Sequence, residues 1–180
     1  MVGKGKLSGR VAVVTGAGRC IGAAIARGYA RERAVVCCSA RTESETRATV
    51  CAIESEGGRA FEVSTDVTDA PSVAHMLEIT SERAGGLDIL VINAGINPDR
   101  RGVEKSDPDL WRQTLDVNLF GAYQCARLAI PHLRRRGGGK IIIMVGSRVG
   151  HSSFCRTSAY SCSKARAVDA GAHSRGRSAH

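Results

Sequence analysis

The chain is predicted to fold as an α/β domain with a doubly wound parallel sheet of about five strands. Two patterns carry that prediction. Up to residue 147, short β-branched runs alternate with longer segments of helical period, the signature of βα units. The short runs are also nearly continuously apolar, which suits strands covered on both faces rather than on one. A length of 180 residues corresponds to one domain with a core of its own.

The strands are predicted at 10–15 (RVAVVT), 34–40 (AVVCCSA), 59–64 (RAFEVS), 87–93 (LDILVIN) and 140–147 (KIIIMVGS). Helical patterns occupy 20–32, 43–56, 70–84 and 108–136. The last is long and stops at Gly137, Gly138 and Gly139, which end a helix and free the turn into the fifth strand. No internal repeat or linker interrupts the series.

Composition narrows the class. Hydrophobic residues at 43% and charged residues at 24% are ordinary for a globular domain. No apolar run approaches the ~20 residues of a membrane span. The basic start MVGKGKLSGR leads directly into a strand without a small-residue cleavage site, so a cytoplasmic protein is expected. Cysteines 20, 37, 38, 51, 125, 155 and 162 form no C-x-x-C pair, and no histidine stands at zinc-finger spacing. They read as buried small hydrophobes in a reducing compartment, with no metal site. Much of the +9 net charge sits in Arg134, Arg135 and Arg136 and in the tail after Lys164. The arginine run reads as a solvated helix end, and such charge without a recognition motif argues against nucleic acid as a partner.

A glycine loop points to a ligand. Thr15-Gly16-Ala17-Gly18-Arg19-Cys20-Ile21-Gly22 lies between the first strand and the first helix. Glycines there let the backbone turn tightly and let a pyrophosphate approach, while the helix N-terminus presents unpaired N–H groups to it. Tight βα turns also use glycine for conformation alone. The agreement of strand, loop and helix makes this a Rossmann-type dinucleotide site. About 20 residues on, where an acidic side chain would bond a ribose 2′-OH, the chain has Ser39-Ala40-Arg41. Arg41 and Arg19 could clamp the 2′-phosphate of NADP, so NADP is expected ahead of NAD. Two solvated surface arginines are the plain alternative.

Over residues 7 to about 165 the chain resembles the short-chain dehydrogenase/reductase family. The loop resembles its TGxxxGxG form, DVTD at 66–69 its adenine-contacting segment, and Asn93-Ala94-Gly95 its turn after the fourth strand. The resemblance implies cofactor contacts from Gly16, Gly18, Arg19, Ile21, Gly22, Arg41, Asp66, Val67, Asn93, Ala94, Gly95, Tyr160 and Lys164. It further implies a catalytic tetrad of Asn118, Ser147, Tyr160 and Lys164, in family order. Tyr160 would be the proton donor or acceptor and Lys164, at i+4, the cation beside it, since a free phenol titrates near 10. Ser147 would hold the substrate oxygen, and Asn118 would organise a water-linked proton path near Lys164. The implied reaction is hydride transfer between NADP(H) and a small carbonyl or secondary alcohol of 3-oxoacyl, sugar or simple alcohol type. Taken alone, a Tyr–Lys pair at this spacing is often a surface pair, and a Ser after a strand a turn residue. Trp111 and Tyr123 read as core or interface.

Members of that family are longer, and RAVDAGAHSRGRSAH after Ala165 carries no apolar stripe. The expectation is therefore an incomplete dehydrogenase domain over 1–165 and an atypical, disordered basic tail over 166–180. A shifted reading frame near Ala165 would produce this pattern. The consequences expected are an exposed fifth strand, impaired homo-oligomerisation and little turnover. A non-catalytic dinucleotide-binding fragment or decayed gene product is the alternative.

Overall fold

The computed structural model describes residues 5–145 and 158–164. Five strands, β1 (Val11–Thr15), β2 (Val35–Ala40), β3 (Arg59–Ser64), β4 (Ile89–Ile92) and β5 (Lys140–Ile143), form one sheet in the order β3-β2-β1-β4-β5. All four pairings are parallel. The helices between them are α1 (Cys20–Arg31), α2 (Glu43–Ser55), α3 (Ala70–Ala84), α4 (Pro108–Leu115) and α5 (Gly121–Arg135). A further helical stretch covers 158–164. The chain winds outward from β1 to β3, then crosses back to β4. Beyond the carboxyl ends of β1 and β4 this reversal opens a crevice, the place where doubly wound sheets take ligands.

The unbroken apolar strands follow from two cores. Ala12 and Val14 of β1, Val36 and Cys38 of β2 and Val91 of β4 pack with Ala26 and Ala30 of α1 and Val50 and Ile53 of α2. Their neighbours Val13, Cys37, Leu90 and Ile92 pack on the other face with Met76 and Leu77 of α3 and Cys125 and Leu133 of α5. Side chains alternate across a strand, so a sheet wetted on neither face needs an apolar residue at every position.

The helix expected over 108–136 is not uniform. α4 ends at Leu115, a π-helical turn spans Asp116–Phe120, and α5 continues from Gly121. One extra residue in the turn rotates the helical face that follows by about 100°, and such turns gather at functional positions. The fourth strand, Ile89–Ile92, is shorter than the expected 87–93. Arg136 is not simply solvated, since its Nη2 donates to Asp88 Oδ2 at 3.1 Å. Nor are the cysteines uniformly buried. Cys37, Cys38 and Cys125 are, and burial pushes each thiol up to about 12, whereas Cys20, Cys51 and Cys162 are exposed. Ser147, Cys155 and the proposed tail at 166–180 lie outside the described residues. Among the described residues no helix is long and apolar enough to cross a membrane.

Candidate functional site

At the carboxyl end of the sheet lies a cavity of about 680 Å³. Gly16, Gly18, Arg19, Ile21, Gly22, Arg41, Asp66, Val67, Asn93, Ala94, Gly95, Tyr160 and Lys164, the positions expected to bind cofactor, all line it. The glycine loop forms one wall. Gly16 adopts φ +67, and a Cβ on Gly22 would overlap the Gly16 carbonyl, so neither position accepts a side chain without rearrangement. Where the TGxxxGxG form has its middle glycine this chain has Cys20, at φ +49. The match at that position is therefore corrected: the backbone keeps a left-handed conformation suited to glycine and carries a side chain there, at a cost of roughly 1–2 kcal/mol.

The loop is fastened from β4. Asn93 Nδ2 donates to the Thr15 and Gly16 carbonyls at 3.0 and 3.2 Å, and the backbone N–H groups of Asn93 and Ala94 donate to Thr15 Oγ1 at 3.0 and 3.1 Å. The amide of Asn93 thus holds the loop in shape. Asp66 accepts from the Thr68 N–H at 2.9 Å and hydroxyl at 2.7 Å. Burial opposes its ionisation, but these bonds keep the carboxyl below its ordinary range.

On the opposite wall the 158–164 helix brings in Tyr160 and Lys164. Lys164 is 6% exposed, its Nζ donates to the Met144 carbonyl at 2.8 Å, and burial pushes its pKa down. The ammonium stands 5.7 Å from the centre of the Tyr160 ring. Asn118, in the π-helical turn, is 2% exposed. Its Oδ1 accepts from Ile96 N at 2.7 Å, and its Nδ2 donates to Ile96 O at 2.9 Å and to Ser163 Oγ at 3.1 Å. The Ser163 hydroxyl in turn donates to the Tyr160 carbonyl at 2.8 Å. One side chain therefore ties the loop after β4 to the helix carrying Tyr160 and Lys164.

A family model described as short chain dehydrogenase matches residues 10–173. The chain belongs to the short-chain dehydrogenase family. It is 46% identical over 132 residues to the short-chain reductase protein NovJ of Streptomyces niveus, covering 73% of this chain and 50% of that one. It is 38% identical over 156 residues to cis-4-hydroxycyclohexanecarboxylate dehydrogenase of Sinomonas cyclohexanicum, covering 87% and 62%. A crystal structure described as a short-chain alcohol dehydrogenase of Sinorhizobium meliloti 1021 superimposes with a TM-score of 0.87 at 35% identity, over 93% of this chain and 66% of that one. The chain spans about half to two thirds of the length of these short-chain dehydrogenase relatives.

The site holds residues the sequence reading passed over. Ser163 stands between Tyr160 and Lys164 in the sequence, and a serine beside a lysine carries no signal of its partner 45 positions away. Glu45 also lines the cavity, its Oε1 3.8 Å from Arg19 Nη1. No local spacing in the sequence signals this placement.

Proposed function

We propose that this protein is an NADP-preferring oxidoreductase that transfers hydride between NADP(H) and a small carbonyl or secondary alcohol. The observation that carries the reading is one cavity lined both by the glycine loop and by Tyr160 and Lys164. Its walls suit a dinucleotide: Ser39 Oγ is buried on the cavity wall without a partner, a polar group awaiting one. The glycine loop and Lys164 would hold the cofactor, with Arg41 and Arg19 at the ribose 2′-phosphate and Asp66 and Val67 at the adenine. Bound there, the nicotinamide supplies the hydride chemistry.

Tyr160 would pass a proton to or from the substrate oxygen, Lys164 would supply the positive charge beside it, and Ser147 would hold that oxygen. Asn118 acts by position, fixing the helix of Tyr160 through Ser163. The named substrate of the Sinomonas relative, a secondary alcohol on a ring, supports the substrate class. We further infer a cytoplasmic protein whose family-type homo-oligomerisation is impaired but not abolished. Phe120, Tyr123 and Ile130 are exposed along the π-helical turn and α5, with the two aromatic rings 5.9 Å apart, an apolar stripe suited to self-association.

NADPH oxidation with a panel of ketones and ketoses tests the reading. Tyr160→Phe is expected to lower turnover at least ~100-fold with cofactor affinity nearly unchanged. Arg41→Asp is expected to reverse the order of NADPH and NADH affinities. Cofactor binding without turnover on any carbonyl would leave a dinucleotide-binding protein, and equal affinity of the unmodified chain for both cofactors would remove the NADP preference.

A further inference from the structure

We propose that Glu45 limits the dinucleotide preference of this site by competing with a ribose 2′-phosphate for Arg19. The inference rests on the reading of the cavity as a dinucleotide site. Arg41 and Arg19 both line that cavity, but they are not equivalent. Arg19 Nη1 lies 3.8 Å from Glu45 Oε1, with the arginine side chain 79% and the glutamate 38% exposed. An ion pair this open to water is weak and exchanges readily, which is what competition with an incoming anion requires.

Glu45 is the fixed partner of the two. Thr49 follows it by one helical turn on α2 and is buried. Its hydroxyl lies 3.0 Å from the Ala17 carbonyl and 3.3 Å from that of Gly18, so this face of the helix is fastened to the glycine loop. Glu45 sits so close over the loop that a Cβ on Gly18 would stand 2.8 Å from its Cβ and 3.0 Å from Oε2. A carboxylate is thereby kept over the loop while the long arginine can swing.

The consequence is selective. A 2′-phosphate carries about −1.5 to −2 charges, competes with Glu45 for Arg19 and is repelled by the carboxylate, whereas a ribose 2′-OH meets neither effect. Glu45 therefore opposes the preference that Arg41 favours, and its removal should strengthen binding of 2′-phosphorylated ligands alone.

Calorimetric titration of the 180-residue chain with adenosine 2′,5′-bisphosphate and with 5′-AMP tests this without the nicotinamide or any turnover. Glu45→Gln is expected to tighten the bisphosphate about fivefold and leave 5′-AMP within about twofold, the difference shrinking in 0.5 M salt as screening predicts. In an Arg19→Ala background most of that gain should vanish. Equal tightening of both ligands, or no change in either, overturns the proposal. A full gain that persists without Arg19 overturns the competition for Arg19. If neither ligand binds the unmodified chain, the dinucleotide reading itself fails. If both bind equally before substitution, the NADP preference fails while the effect of Glu45 can still be read.

Discussion

The two ends of the sheet are built on opposite terms. At the amino end, Asp88 is 4% exposed and its carboxylate accepts from the Val11 N–H at 2.9 Å, Arg10 Nη1 at 2.9 Å and Arg136 Nη2 at 3.1 Å. Its backbone N–H donates to the Val11 carbonyl and its carbonyl accepts from Lys140 N, each at 2.9 Å. One residue thus joins the start of β1, the lead into β4, the end of α5 and β5. At the carboxyl end, Ser39 Oγ is buried without a partner, an ammonium is buried beside Tyr160, and Cys20 occupies a left-handed backbone position. The polar groups around Asp88 are satisfied within the chain and stabilise the fold, whereas Ser39 Oγ on the cavity wall is a polar group still open to a ligand.

The largest test of this contrast is Asp88→Ala. It strips a buried N–H and two guanidinium groups of their acceptor at once, and a loss of about 3 kcal/mol is expected in urea unfolding. Affinity for NADPH in the surviving folded protein should stay within about twofold, since the cavity lies at the other end. A loss of binding in proportion to stability would show that the two ends are not independent. The pH dependence has a definite sign. Burial works against the Asp88 carboxylate, but the Val11 N–H, Arg10 and Arg136 overcome it and keep its pKa below the ordinary value. The stability it provides is therefore present above the unfolded value near 3.9 and lost as pH falls through the folded value. Asp88→Asn should flatten that acid limb of the unfolding curve.

Lys164→Met reverses the pattern at the open end. Cofactor affinity should fall about tenfold, the size of one lost charge-assisted contact, while stability at pH 7 changes by less than ~1 kcal/mol. Removing a buried ammonium offsets the loss of its bond to the Met144 carbonyl. Because burial lowers the pKa of Lys164, the unfolded chain binds a proton that the folded chain gives up. Stability should then rise with pH from the lowered folded value up to about 10.4, a rise the variant lacks. Urea midpoints taken between pH 8 and 10.5 measure it, and identical slopes for both proteins would contradict the burial argument.

The same division decides what could be read in advance. The central strands were legible because burial on two faces writes itself into every position, as in Val11 to Thr15, whereas the edge strands β3 and β5 are only partly buried. The cavity-lining glycines were legible because their spacing is local, and the Tyr160–Lys164 pair only through the resemblance that orders it after the other motifs. Contacts between distant positions were not. The bonds from Asn118 to Ile96 and Ser163, from Arg136 to Asp88 and from Thr49 to Ala17 join residues whose separation follows no period. The π-helical turn at Asp116–Phe120 was hidden because the chain stays helical through it and no Gly or Pro lies within it.

The smallest effect concerns Cys20, which brings a backbone conformation suited to glycine and a side chain into the same loop. Its φ of +49 disfavours any L-residue with a Cβ, and the residue opens α1 while lining the cavity. Cys20→Gly relieves that conformation but gives the unfolded chain more freedom, so the net gain in stability should be about 0.5 kcal/mol. Binding should change more than folding. Taking the side chain out of the loop against which a pyrophosphate would lie is expected to tighten NADPH and NADH alike, by about threefold, because both carry the same pyrophosphate. Cys20→Ala keeps the Cβ and should give neither gain. If alanine tightens binding as much as glycine does, the sulfur rather than the Cβ and its backbone constraint is what hinders the ligand, and the loop tolerates the left-handed residue without consequence.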